Sequence, residues 1–420
     1  MPRKLTASIS LGAMRHNLRR VRQQAPSSRV WAVVKADAYG HGLLNALQGF
    51  AEADGMALLE FEGAARLREH GWQKPILMLE GPFDADDVAQ AAAQGLTLAV
   101  GQGAHLQWLA GHSRADRPLS VWLKINTGLN RLGVKPEDLG VFVRQLLATP
   151  GVQLQGCMTH FANADVPGGA DAALATFDHA MAMVEQLIRH DANQRASGAP
   201  HGEIAPSRSE TKTTGSQPAT ETPAGQGTRP PVPSAHPAPA CHTATAAGLQ
   251  QSVANSATLF SEPDALRDWI RPGIALYGAT PFADIDAREL GLEPVMRLHG
   301  SILAVQQMNP GEATGYGSRF VARRPTRIGI VDCGYADGYP RVAPTGTPVL
   351  VNGTRTRLLG RVSMDMLAVD LNPVPEAGPG APVELWGEHI PVDEVAALSG
   401  TIGYELLCAI TPRVRREVIE

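Results

Sequence analysis

The chain has few cysteines, no block of basic residues and no long apolar run. Its four cysteines, Cys157, Cys241, Cys333 and Cys408, form no CxxC pair, which argues against a disulfide framework or a zinc site. The net charge is −4, so no strong positive field points to nucleic acid or an anionic membrane as a partner. No apolar stretch is long enough to cross a bilayer, and the amino terminus lacks the apolar core of a signal peptide. We therefore expect a cytoplasmic protein without a metal site.

Large apolar residues almost disappear between residues 189 and 248, where only Ile204 and Val232 remain and no aromatic residue occurs. A segment of Pro, Thr, Ser, Ala, Gly and Gln cannot bury enough surface to offset the entropy lost on ordering. We interpret residues 193–248, approximately, as a disordered insertion. Residues 230–233 match the PxxP pattern, and His236, Cys241 and His242 could suggest a metal site. Both are weak alternatives to a solvated linker.

Short apolar runs alternate with amphipathic stretches in the rest of the first 280 residues. The pattern predicts helices at residues 11–24, with Ser10 as N-cap, and at 43–53, 62–70, 85–94, 104–110, 136–148 and 171–189. It predicts strands at residues 30–34, 55–59, 75–79, 96–100, 121–125 and 154–159, with two more near Gln251 and Trp269. Eight strands that alternate with helices indicate an α/β fold, a (β/α)8 barrel of the TIM type.

The pattern changes after residue 293, where strand-like runs are separated by Gly, Pro and Asn turns. These runs lie at residues 297–308, 327–333, 347–351, 356–359, 366–371, 382–385 and 414–418. The sequence therefore predicts two domains. Residues 1–285 form the barrel, interrupted by the insertion, and residues 286–420 form a mostly β domain.

Polar or small residues that suit a binding site lie at the ends of the predicted barrel strands or in the loops after them. These are Lys35, Lys124, Arg131, His160, Asn255, Ser256, Arg271 and Gly273. Because a TIM barrel gathers the carboxyl ends of its strands at one rim, we expect these residues to meet there. Ser256 is a natural N-cap, and Gly273 permits close approach of the backbone. The last two strands therefore predict a phosphate site.

Lys35 ends the first predicted barrel strand and precedes a small-residue turn in which Gly40 and Gly42 open a helix. A desolvated lysine amine can form a Schiff base with a carbonyl cofactor. Tyr39 lies close enough along the chain to bond that cofactor's phosphate. The alternative is a lysine whose amine reaches the surface from a strand end.

The whole stretch at residues 33–42 closely resembles the pyridoxal-phosphate lysine motif of the alanine racemase family. The family usually has Asn where this chain has Asp37. The resemblance continues through residues 123–133, 157–162, 270–278, 315–317, 335–341 and 360–365, and covers nearly the whole chain outside the insertion. Together these segments are highly specific, although each one alone is not.

The resemblance implies pyridoxal 5′-phosphate bound as a Schiff base to Lys35, and racemisation by bases on opposite faces. Lys35 would take the proton from D-alanine and Tyr316 from L-alanine. Arg131 and the backbone of Met364 would bind the substrate carboxylate. The cofactor would contact Tyr39, His160, Asn255, Ser256, Arg271, Gly273, Ile274 and Tyr404, with Arg271 facing the ring nitrogen.

Three further properties are implied by the same resemblance. Lys124 would be carbamylated and orient Arg131, with an unmodified surface lysine as the alternative, and Asp365 would lie behind the substrate residues. His160, with Arg271 behind it, would supply the positive charge that a tyrosine base needs. The protein would be a homodimer with composite active sites, and its D-alanine would feed cell-wall peptidoglycan or be catabolised.

Other pyridoxal-phosphate proteins remain alternatives at this point. A decarboxylase of basic amino acids should carry an acidic partner at the ring nitrogen, where this chain has Arg271. A racemase of broad specificity is usually exported, and no signal peptide is visible here. A noncatalytic cofactor carrier resembles the barrel alone, whereas this chain adds a β domain with Tyr316.

Overall fold

The computed structural model describes residues 3–112, 118–197 and 248–420. The amino-terminal part contains β1 (Thr6–Ser10), α1 (Leu11–Gln24), β2 (Arg29–Val33), the short turn α2 (Lys35–Tyr39), α3 (Leu43–Gly49), β3 (Gly55–Leu58), α4 (Phe61–Glu69), β4 (Ile76–Met78), α5 (Ala85–Gln94), β5 (Thr97–Val100), α6 (Gly103–His112), β6 (Leu119–Lys124), α7 (Leu139–Ala148), β7 (Val152–Met158), α8 (Asp171–Ser197), β8 (Gln250–Ser252), α9 (Ser256–Ser261) and β9 (Trp269–Ile270). A 3-10 turn, Ile274–Tyr277, follows β9.

Helix α1 shows how the local pattern sets an element and its packing. The Ser10 hydroxyl accepts a hydrogen bond from the backbone N–H of Ala13 at 3.1 Å, which satisfies an otherwise unpaired donor at the helix start. One face of the helix is buried, including Met14, Leu18 and Val21, and the helix contacts α3. The predicted cap and the predicted helix at residues 11–24 are both confirmed.

Eight parallel strands form the predicted barrel. Their order is β8-β7-β6-β5-β4-β3-β2-β9, and the Arg271 amide donates to the Ala254 carbonyl at 2.9 Å where the two outer strands meet. Trp31 packs inside, with its ring centroid 4.1 Å from that of Trp269 and 4.8 Å from that of Trp122. All eight predicted barrel strands are present, and the differences from the prediction lie mainly in their first and last residues.

The carboxyl-terminal part contains β10 (Met296–Met308), β11 (Ala313–Thr314), β12 (Phe320–Val321), β13 (Thr326–Val331), β14 (Pro348–Val351), β15 (Thr354–Leu359), β16 (Leu367–Asp370), β17 (Pro382–Trp386), α10 (Val392–Leu398), α11 (Gly403–Ala409) and β18 (Arg415–Ile419). Strand β10 pairs with both β17 and β13, which closes six strands into a second, antiparallel barrel. The mostly β character of this part is confirmed, but α10 and α11 were not predicted from the sequence.

Strand β1 joins this second sheet, where it lies between β10 and β18. The sequence pattern did not predict β1, because five residues of mixed polarity give a weak strand signal. The division into residues 1–285 and 286–420 stays a prediction. The amino-terminal strand nevertheless ties the start of the chain to the β sheet.

Helix α8 continues to Ser197, eight residues beyond the predicted end at residue 189. An Arg195–Asp191 ion pair of 2.9 Å and a 2.7 Å hydrogen bond from Arg195 to the Leu147 carbonyl accompany the last turns. The remainder of the predicted insertion, with its PxxP match and its His and Cys residues, lies outside the described residues. Within the described ranges, no helix combines the length and the apolar character needed to cross a membrane.

Candidate active site

A cavity of about 260 Å³ opens at the carboxyl rim of the parallel barrel. It brings together the predicted residues Lys35, Tyr39, Lys124, Arg131, His160, Asn255, Ser256, Arg271, Gly273, Ile274 and Tyr404. Most of them come from the ends of barrel strands or from the loops that follow, whereas Tyr404 comes from α11. The rule that polar groups at strand ends converge therefore located the cavity.

Lys35 begins a turn with an unusual backbone. The next four residues, Ala36, Asp37, Ala38 and Tyr39, have φ values of 54°, 50°, 55° and 53°, in the left-handed region. Such a conformation costs about 1–2 kcal/mol for each residue with a side chain. The sequence predicted a turn here but not its handedness. As predicted, a helix follows Gly42, and the Asp37 carboxylate accepts from the Leu43 amide at its start, at 2.9 Å.

The left-handed turn aims the Tyr39 hydroxyl at the backbone of Gly273. A Cβ atom built on Gly273 would lie 2.2 Å from the Tyr39 Oη atom, so only glycine leaves this space open. Burial raises the pKa of Tyr39, which keeps its hydroxyl protonated and able to donate to an anion. Ser256 Oγ lies beside it and accepts from the amides of Gly273 and Ala275 at 2.9 and 3.3 Å.

The predicted capping role of Ser256 is wrong by one residue. Asn255 is the N-cap of α9, because its side-chain oxygen accepts from the Thr258 amide at 3.0 Å. Ser256 instead holds the loop around Gly273 through its hydroxyl. Adjacent Asn and Ser residues are both good caps, so the sequence alone could not choose between them.

Arg271 is buried at the base of the cavity. Its guanidinium donates to the Ser252 hydroxyl and to the backbone carbonyl of Thr159, and more weakly to the Val253 carbonyl at 3.4 Å. Burial lowers the pKa of Arg271 to about 10, which still leaves it a cation at neutral pH. The cavity therefore holds a fixed positive charge that does not release its proton near neutrality.

His160 follows Thr159 in the same cavity, but it is neutral. Burial, followed by the charges of Arg271 and Arg131, lowers the pKa of His160 to about 3. The expectation that His160 itself supplies positive charge is therefore wrong. Arg271 and Arg131 are the guanidinium cations near His160, and Lys124 and Lys35 add positive charge.

Lys124 lies at the end of β6 and is partly buried, so it is not an ordinary surface lysine. Its ammonium donates to the Leu79 carbonyl at 2.9 Å. Burial, and then the charges of Arg271 and Arg131, lower the pKa of Lys124 to about 8. A considerable part of this amine is consequently neutral in mildly alkaline solution.

Three predicted site residues lie away from this cavity in the same chain. Tyr316, Met364 and Asp365 come from loops of the carboxyl-terminal part and do not line the cavity. Tyr316 is 70% exposed and Met364 is 52% exposed. The carboxylate of Asp365 accepts from Arg413, and Arg413 also bonds the buried carboxylate of Asp337.

Sequence reasoning missed three polar residues of the cavity, Glu80, Thr159 and Cys408. Glu80 follows β4 closely, so the strand-end rule used for the other residues would have found it. Cys408 lies on α11, one helical turn after Tyr404, so the predicted position of Tyr404 could have indicated it.

The protein families and solved structures that this chain resembles are racemases, so the fold and the site define an isomerase. The family described as "Alanine racemase, N-terminal domain" matches residues 9–199 and 238–281. The family described as "Alanine racemase, C-terminal domain" matches residues 295–418. The chain belongs to the alanine racemase family, as the resemblance of its motifs implied.

Individual relatives agree along the full length. An alanine racemase of Burkholderia mallei (strain SAVP1) is 42% identical over 415 residues, and a catabolic alanine racemase of Klebsiella aerogenes is 44% identical; each comparison covers 99% of both chains. The solved biosynthetic alanine racemase of Pseudomonas aeruginosa is 38% identical with a TM-score of 0.81, over 100% of both chains. The combination of barrel and β domain is thereby confirmed. Since one relative is catabolic and one structure is biosynthetic, the comparisons do not distinguish these roles.

Proposed function

We propose that the chain interconverts L-alanine and D-alanine with pyridoxal 5′-phosphate in the rim cavity. The observation that supports this most directly is the presence in one cavity of Lys35, the buried cation Arg271 and the glycine backbone at Gly273. The bound cofactor would supply an electron-withdrawing ring that acidifies the α-proton of the amino acid. Purified protein should racemise L-alanine until optical rotation vanishes. Absence of racemisation with added cofactor would reject the proposal, and activity on many amino acids would favour the broad-specificity alternative.

The residues present fit this cofactor. Its phosphate is an anion, and three residues with hydroxyl groups, Tyr39, Ser256 and Tyr404, line the cavity together with Gly273, whose missing side chain makes room for the Tyr39 hydroxyl. Burial raises the pKa of Tyr404 as well as that of Tyr39, so both hydroxyls remain donors. Asn255 and Ile274 complete this side of the cavity.

The chain's own residues would divide the proton transfers between two faces of the substrate. Lys35 would hold the cofactor covalently and, when released, move the α-proton of D-alanine at its Nζ atom. The Tyr316 hydroxyl would move the α-proton of L-alanine. Arg131 and the Met364 backbone would bind the carboxylate, which fixes the α-carbon between the two bases.

Tyr316 and Met364 can serve the cavity only from a second copy of the chain if they keep the positions described here. We therefore propose a homodimer in which each β domain completes the partner's barrel. The high exposure of Tyr316 and Met364 supports this arrangement, because a contact between copies would cover both side chains. In a two-fold dimer both composite sites are equivalent.

Arg271 would set the course of the reaction, because a guanidinium facing the ring nitrogen does not give up its proton. Replacing Arg271 with Glu should slow racemisation by about 10- to 100-fold, the effect of losing a charged hydrogen bond, and should increase transamination. Both products can be followed in one assay with L-alanine. Arg271→Lys keeps the charge and should retain the preference for racemisation. Unchanged racemisation in Arg271→Glu would show that Arg271 does not face the ring.

We also propose that Lys124 is carbamylated and orients Arg131. Carbamylation requires the neutral amine, which attacks carbon dioxide and loses a proton, and the lowered pKa of Lys124 favours that form. In bicarbonate buffer, native mass spectrometry should find the protein heavier by one carbon dioxide, increasingly so as the pH rises through about 8. Lys124→Ala should lack this increment. An equal increment in Lys124→Ala would assign the modification elsewhere.

A further inference from the structure

The left-handed turn that carries Lys35 and Tyr39 needs support from its surroundings. Four successive residues with side chains have positive φ values, from 50° to 55°, and none of them is glycine. At about 1–2 kcal/mol for each residue, the turn would relax if it were not held. The contacts that hold it therefore decide where its two functional side chains point.

Tyr277 contacts both sides of this turn. Its hydroxyl donates to the backbone carbonyl of Val33 at 2.9 Å, at the end of β2 and two residues before Lys35. Its ring stacks on that of Tyr39, with centroids 4.7 Å apart and planes 27° apart. Tyr277 is 1% exposed, so water does not compete with either contact.

His41 also stacks on the Tyr277 ring. The two ring centroids are 4.7 Å apart and the planes differ by 29°. His41 Nδ1 donates to the carbonyls of Ala38 and Tyr39 at 3.0 and 2.9 Å, so it satisfies backbone groups of the left-handed residues. Tyr277 thus contacts both His41, which bonds the left-handed backbone, and Tyr39, which that backbone carries.

The position of Tyr277 in the chain adds a third connection. It ends the 3-10 turn Ile274–Tyr277, which follows Gly273 directly. The backbone at Gly273 is the part of the cavity that the Tyr39 hydroxyl approaches. A single buried side chain is therefore linked to the strand that presents Lys35, to the Tyr39 ring and to the loop opposite Tyr39.

We propose that Tyr277 is a positioning residue that fixes the distance between the Lys35 amine and the phosphate end of the cavity. Its hydroxyl holds the strand end before Lys35, and its ring holds Tyr39. Tyr277 itself does not line the cavity. This inference rests on the proposed binding of pyridoxal 5′-phosphate. The cofactor would attach to Lys35 at one end and place its phosphate near Tyr39 at the other.

Two substitutions separate the contributions of the hydroxyl and the ring. Tyr277→Phe keeps the stacked ring and loses the hydrogen bond to Val33, whereas Tyr277→Leu loses both. Tyr339→Phe is the matched control, because Tyr339 is equally buried and stacks on Trp386. Its hydroxyl has no hydrogen-bond partner within the described part of the chain.

Absorbance measures how tightly cofactor-free protein binds pyridoxal 5′-phosphate and pyridoxal, which lacks the phosphate. The two dissociation constants are compared. Tyr277→Phe should weaken both by about tenfold, as expected for one lost hydrogen bond near the attachment point. Tyr277→Leu should weaken binding of pyridoxal 5′-phosphate by about another tenfold, whereas the affinity for pyridoxal should stay at the level of Tyr277→Phe. Tyr339→Phe should bind both as the unaltered protein does.

A purely structural role for Tyr277 would lower the thermal midpoint and leave the ratio of the two dissociation constants unchanged. That ratio unchanged in Tyr277→Leu, or unchanged affinities in Tyr277→Phe, would overturn the inference. If Tyr277→Leu does not fold, Tyr277→Phe decides the matter alone. Unchanged affinities in Tyr277→Phe would overturn the inference, and a tenfold loss of affinity would support the role of the hydroxyl. Unaltered protein that binds neither compound would reject the proposed function, and this inference with it.

Discussion

Replacing Lys35 with alanine should lower racemisation of both enantiomers by about 10²- to 10⁴-fold, the range that one positioned acid–base group contributes. Lys35 would anchor the cofactor and move a proton, so neither direction should escape the loss. The residue sits at the rim cavity beside Arg271 and Tyr39, where no other described lysine except Lys124 lines the wall. Polarimetry with each enantiomer measures the effect.

Lys135→Ala is the matched control, because Lys135 is exposed and does not line the cavity. Its activity should equal that of the unaltered protein. Borohydride reduction followed by peptide mapping should place the pyridoxyl group on Lys35. A label on Lys124, or retained turnover in Lys35→Ala, would show that the attachment point has been assigned to the wrong lysine.

Tyr316→Phe should cause a loss in the same range, about 10²- to 10⁴-fold, but with a different isotope pattern. Lys35 would still exchange the α-proton of D-alanine with deuterium from the solvent. The α-proton of L-alanine would no longer exchange, because the base on its face has gone. Proton NMR in deuterium oxide follows both exchanges separately.

Tyr339→Phe again serves as control, since it removes a buried hydroxyl from the same part of the chain. It should leave both exchanges unchanged. Loss of exchange for D-alanine in place of L-alanine in Tyr316→Phe would reverse the assignment of the two faces. Equal and complete exchange of both enantiomers would remove Tyr316 from the mechanism.

Much of the fold and the cavity could be predicted because both follow from short-range patterns. Alternation of apolar runs and helices specified the barrel, and strand ends specified where Lys35, Lys124, His160 and Arg271 meet. The same rule would also have included Glu80. These predictions needed no knowledge of side-chain geometry, only of the direction of parallel strands.

Other features depend on contacts between distant parts of the chain. The four left-handed residues from Ala36 to Tyr39 include no glycine, and the Tyr39 ring packs on Tyr277, about 240 residues away in the chain. Strand β1 forms because β10 and β18 pair with it, not because its own five residues favour a strand. The neutral state of His160 results from burial and from guanidinium charges that only the folded chain brings near.

Lys35 of one chain and Tyr316 of its partner would form one active site, and mixing two inactive variants tests this arrangement most directly. The Lys35→Ala and Tyr316→Phe variants would be mixed, partly unfolded and refolded. Native mass spectrometry with one variant isotope-labelled would confirm that the subunits have exchanged. In a mixed dimer, one composite site carries both lesions and the other carries neither.

Random exchange makes half of the dimers mixed, so about a quarter of all sites should be intact by symmetry. We expect the mixture to regain about that fraction of the activity of the unaltered protein, while each variant refolded alone stays inactive. If both residues act within one chain, every site keeps one lesion. Confirmed subunit exchange without any recovery of racemisation would contradict the shared active site.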